Sequence, residues 1–267
     1  MAIKFSDKQL NFAKKKFYGN LYFTNENPNF LMKTINKILI ILMILKIKIV
    51  NLKRYSFRKF VKIKNTDNQD LNCEISMNPE KKTNYSNFLR DNNYVFIKNF
   101  VDQKSHSKLL ADWPNLNFFI QRPKIIKYYS TGFFFDNNNN SRTDKNLKKN
   151  LTLQSFYSYI NSRKFEIFIN ELLHFENSKF YNYSITSSMA GNNSFLIPHI
   201  DGVMKKEECC YNFIYFVEGN EENVEYSGAT GIYEDNDFNK PIFIPDTLKN
   251  SLLVYKSTVS FFHGFKL

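Results

Sequence analysis

The sequence predicts a mainly β domain with flanking helices, an α+β arrangement, and three observations carry that expectation. From residue 181 onward, short apolar runs alternate with turn-like stretches at 190–193, 218–223, 234–240 and 246–250, the rhythm of antiparallel strands. Aromatic residues make up 17% of the chain, a share that suits β-rich packing, and the 43% apolar content permits a large core. Upstream, residues 102–113 and 153–175 show helical rather than alternating spacing, with Leu109, Leu110 and Trp113 on one face of the first.

Taken in order, the chain begins with a basic extension, residues 1–64. It carries fifteen Lys and Arg against two acids, Asp7 and Glu26, a net +13; the remainder sums to −1, so the overall +12 belongs to the front. A nucleic-acid partner is therefore not implied by the net charge of the whole. Basic residues 53–64 interleave with Tyr55, Phe57 and Phe60, and a solvated face is the favoured reading of them. Eight apolar residues, 38–45, lie between Lys37 and Lys46, whereas a membrane span needs about twenty. A basic segment around an apolar run, residues 31–64, suits an anionic membrane surface. The alternative is an accessory helix or an extension without a role. No small-residue cleavage site follows the apolar run, so it does not read as a signal peptide.

Residues 65–92 are polar and read as a linker. Residues 93–267 form the predicted domain. It holds the helix at 102–113, a mobile polar loop at 136–150 and a second helical region at 153–175. Strands follow at 181–188, 211–217, 227–233 and 251–256, with Pro241 and Pro245 marking a loop or sheet edge. Cys73, Cys209 and Cys210 give neither a disulfide framework nor a Cys-x-x-Cys metal pattern, and a reduced, cytoplasmic setting fits them.

The chemistry-bearing constellation is small. The chain has four His, and His199 stands two residues before Asp201 in Phe-Leu-Ile-Pro-His-Ile-Asp-Gly, 195–202. On a strand, i and i+2 share a face, so one strand can offer an imidazole and a carboxylate to one ion. His263, in Ser-Phe-Phe-His-Gly at 260–264, can complete a set of two His and one carboxylate. That set suits Fe(II) and leaves coordination positions open. A zinc hydrolase is the third reading, but the general base it needs is not evident in the sequence.

This ordered context resembles the double-stranded β-helix core of the 2-oxoglutarate- and Fe(II)-dependent dioxygenases, most of all the prolyl-hydroxylase-like branch. The resemblance covers about residues 90–267, two thirds of the chain. It rests on His199 and Asp201, the tyrosine-rich strand 211–217, the Ser-Gly-Ala-Thr-Gly segment after it, strand 251–256 and His263. It implies a jelly-roll core, a metal site of His199, Asp201 and His263, and Fe(II) and 2-oxoglutarate as cofactors, with ascorbate as a further optional factor. It implies hydroxylation by dioxygen of a small-molecule, peptide or glycan-linked substrate. Tyr181, Tyr183, Tyr211 and Asn212 flank the proposed core strands and are candidates to line the co-substrate pocket. Asp201 argues against a halogenase, in which that carboxylate is replaced.

One departure stands out. The family anchors the far carboxylate of 2-oxoglutarate with an Arg or Lys beyond the second His, yet Leu267 comes four residues after His263. Lys266 is too close, and Lys205 and Lys206 lie near the turn. A fragment lacking its last strand is the favoured expectation, and the chain is then expected to hold iron but to turn 2-oxoglutarate over poorly. The alternative is a catalytically inactive β-helix binding domain tethered to a membrane or complex by its basic front.

Overall fold

The computed structural model describes residues 41–42, 45, 48–50, 52–53, 75, 78–113, 120–121, 129–136, 151–174, 184–189, 195–200, 210–219, 229–235, 237–257 and 261–266. Among these the fold is α+β, and every strand pairing is antiparallel. The 136–150 loop lies outside the described residues from 137 on.

Two sheets frame the core. The first has the order β1 (Tyr94–Lys98), β9 (Ser251–Ser257), β6 (Cys210–Phe216); the second has the order β5 (Phe195–His199), β10 (Phe262–Lys266), β7 (Gly231–Tyr233), β8 (Pro241–Phe243). A third sheet joins β2 (Ile120–Gln121), β3 (Tyr129–Asp136) and β4 (Ser184–Met189). As expected for a proline-led strand, β8 lies at a sheet edge.

Strand β9 shows why the sequence folds this way. It lies between β1 and β6, and Ser251 to Tyr255 are all buried. Its residues alternate between two cores, as a two-residue side-chain period requires. Leu252 and Val254 face the helices, opposite Ile97 and Val95 of β1 and Tyr215 and Phe213 of β6. Leu253 and Tyr255 face the second sheet, where Ile232 of β7 and Phe243 of β8 meet them.

The helices close the outer face. Helix α1 (Pro79–Asn92) falls where a linker is expected from polarity. Local signals outweigh that composition: Asn78 caps it by accepting from Lys81 N at 2.9 Å, Pro79 occupies its first turn, and Asn93 ends it at φ 61°. It docks through buried Leu89 and through Ser86, whose hydroxyl donates to Leu172 O at 2.7 Å. Helix α2 (Gln103–Ala111) is capped by Asp102 and buries His106, whose Nε2–H donates to Val217 O at 2.8 Å just past β6. The region 153–175 is two helices, α3 (Leu151–Ile160) and α4 (Arg163–Leu173), not one. Ser162 breaks it by capping α4 through Phe165 N. Phe165, Phe168, Ile169, Leu172 and Leu173 then form one buried stripe at helical spacing.

Gly219 gives a first prediction. A Cβ there would sit 2.3 Å from Leu248 Cδ1 and 2.6 Å from its Cβ, so a swing of the leucine tip does not relieve the clash. Gly219→Ala is expected to destabilise the domain by about 1–3 kcal/mol, the usual cost of overpacking, read as a lower midpoint in urea.

Candidate metal centre

Strands β5 and β10 place His199 and His263 directly opposite each other. The register slips between that pair and the next, Phe265 against Leu196: one residue of β10 faces Ile197 and Pro198 of β5. Pro198 has no N–H to offer the ladder, and a bulge is where a strand tolerates that loss. Bulges also re-aim neighbouring side chains, so the proline and the placement of His199 belong together.

The two imidazoles have ring centroids 4.3 Å apart with planes at 49°, and they are 3% and 6% exposed. His263 also meets the ring of Tyr255, at 5.0 Å between centroids. Tyr255 is itself buried in the inner core, opposite Tyr94 and Asn212 in the ladder. Burial raises the Tyr94 hydroxyl above the ordinary tyrosine pKa. The donor chemistry fits a divalent transition metal: neutral imidazole suits iron, zinc, copper and nickel.

The other sequence-predicted residues divide. Asp201 lies outside the described residues, as do Tyr181 and Tyr183; β5 ends at His199. Among the described residues, His, Cys, Asp and Glu do not gather in threes or more. Asn212 is on the inner face, opposite Tyr255, with Nδ2 donating to Ser257 Oγ at 2.7 Å. Tyr211, one residue earlier, packs instead with the helix-side core. Strand alternation puts neighbours on opposite faces, so the two cannot line one pocket. Lys266 pairs with Phe195 in the ladder, while Lys205 and Lys206 fall outside the described residues. Sequence reasoning missed Tyr255 as the residue supporting His263. Its signal was available: Leu253 and Tyr255 share a face by period, opposite to Leu252 and Val254.

No family model matches the chain, and no curated protein matches it. Among solved structures, the chain is similar to a prolyl hydroxylase from Trichoplax adhaerens in complex with a hypoxia inducible factor oxygen degradation domain peptide fragment. The likeness covers 74% of this chain and 89% of that one, at 19% identity and a TM-score of 0.46.

Proposed function

We propose that the chain is an Fe(II)- and 2-oxoglutarate-dependent oxygenase on a double-stranded β-helix core, hydroxylating an organic substrate. The observation that carries this reading is the cross-strand pair His199 and His263, buried, with rings 4.3 Å apart. His199 and His263 would hold the iron, and Asp201, two residues past His199, would supply the carboxylate. The strand order supports the core. From β5 to β10 the chain passes between the two facing sheets, with β5, β7, β8 and β10 in one and β6 and β9 in the other.

When bound, Fe(II) would activate dioxygen, and 2-oxoglutarate would supply two electrons to it on oxidation to succinate and carbon dioxide, leaving one oxygen atom for the substrate. The chain's own contribution is orientation and exclusion of water. Tyr255 packs behind the His263 ring, and Ile232 and Leu253, both 0% exposed, seal the core next to it. Asn212 presents an amide on the same face, fixed by Ser257, where it can orient a polar group of a ligand.

The test is succinate formation by the full chain with Fe(II), 2-oxoglutarate and ascorbate under air. The expected result is succinate that depends on added Fe(II), however slow, and that disappears in His263→Ala. Iron binding with no succinate at all would overturn the oxygenase reading and favour a non-catalytic β-helix binding domain.

A further inference from the structure

Strand β6 is an outer strand of its sheet, and among the described residues its ladder runs to β9 alone. Tyr211 to Phe216 are all half-buried, whereas Ser251 to Tyr255 of the neighbouring β9 are all buried. The difference follows the flanks, since β9 has a strand on both sides. An outer strand presents backbone N–H and C=O groups to any further strand, and proteins blunt such edges with charges, prolines, bulges or brevity. Among the described residues the other outer strands carry these devices. Strand β1 ends on the exposed Lys98, β5 holds Pro198 beside its bulge, and β8 begins on Pro241. In the third sheet β2 has two residues, and four of the six in β4 are Ser or Thr. Strand β6 has no such device. It reads Cys-Tyr-Asn-Phe-Ile-Tyr-Phe, seven residues without a charge or a proline, and its register against β9 does not slip.

We propose that β6 pairs with β6 of a second copy of the chain, antiparallel about a twofold axis, joining two three-stranded sheets into one of six strands. The strand's own sequence favours a second copy as the occupant. With the axis at Phe213, Phe213 of one copy faces Phe213 of the other, Asn212 faces Ile214 and Tyr211 faces Tyr215. These pairs set no like charges against each other, and aromatic pairs across strands are favourable. The pairing is also closed: it uses both β6 edges and stops at two copies. This inference does not rest on the metal centre.

The test is sedimentation of the full chain over a range of concentrations. Dimers are expected, and they are expected to strengthen with salt, because each copy carries +12 and the pairing adds no ion pair across the edge. Phe213→Lys and Phe213→Glu each set like charges across the axis, and each is expected to weaken dimerisation by about tenfold or more. An equimolar mixture of the two sets Lys against Glu and is expected to associate more tightly than either variant alone, which also shows that both are folded. Hydrogen exchange of the parent chain needs no substitution: amides in 210–216 are expected to exchange more slowly as concentration rises. A monomer at every concentration would overturn the proposal, as would dimers that both variants leave unchanged. Protection of 210–216 that is equal at all concentrations would overturn it too, and would assign the edge to a strand of the same chain.

Discussion

His263→Ala is expected to lower Fe(II) affinity by at least a hundredfold. Losing a residue that merely orients a ligand costs metal sites about 10- to 100-fold, and His263 is proposed to donate directly. The substitution also removes a ring packed between His199 and Tyr255, at 4.3 and 5.0 Å, and so leaves His199 without its neighbour. Anaerobic titration followed by calorimetry reads the affinity. Tyr211→Leu is the matched control. It alters an aromatic on the adjacent strand system but on the helix side, so iron binding is expected to stay unchanged while stability falls. Equal losses in the two variants would mean that the effect is on folding rather than on a metal ligand.

Asn250→Ala is expected to destabilise the domain by about 2–5 kcal/mol, about 1–3 kcal/mol for buried polar groups stripped of their partners and about 1–2 kcal/mol for backbone strain. Asn250 is 3% exposed, and its side chain ties three elements together. Its Nδ2 donates to Val101 O at 2.8 Å, and its Oδ1 accepts from Val101 N and from the Tyr215 hydroxyl, both at 3.1 Å. Its backbone O accepts from Phe100 N at 2.9 Å, at the entry to the central strand β9. Alanine removes the partners that the Asn250 side chain gives to the N–H and C=O of Val101. It must also hold φ 48°, a left-handed conformation that costs a residue with a Cβ about 1–2 kcal/mol. Asn250→Gly relieves the second penalty and not the first, so it is expected to recover only about 1 kcal/mol of the loss. Urea unfolding midpoints measure both. A glycine variant as stable as the parent would show that the side-chain bonds contribute little.

The pairing of His199 with His263 could be anticipated because each sits in a short apolar run that forms a strand, and strands leave few ways to bring distant residues together. The strand at 251–256 was equally readable, since a central strand buried on both faces needs a continuous apolar run, here Leu252 to Tyr255. Helix α1 was not readable from composition. Its apolar contribution is slight, and its existence depends on Asn78, Pro79 and Ser86, small polar devices whose value lies in what they bond to. The division of 153–175 into two helices turned on Ser162 acting as a cap, and a serine in a helical stretch carries no such label. The misplacement of Tyr211 has a different origin. Both residues flank a core strand, but the two-residue period of that strand puts Tyr211 on the helix side and Asn212 on the opposite face. The bulge at Pro198 was hidden for the same kind of reason, because register is a property of two strands and not of one.

If His199, Asp201 and His263 hold one iron, each must contribute to its affinity. The most direct measurement is an anaerobic Fe(II) titration of the full chain beside Asp201→Ala, a substitution of the one proposed ligand that the paired rings do not already place. Stoichiometric binding by the parent chain is expected, with a loss of at least tenfold in affinity in the variant and its unfolding midpoint little changed. Fe(II) binding of equal strength in Asp201→Ala would contradict it, leaving two packed histidines and no carboxylate-bearing metal centre.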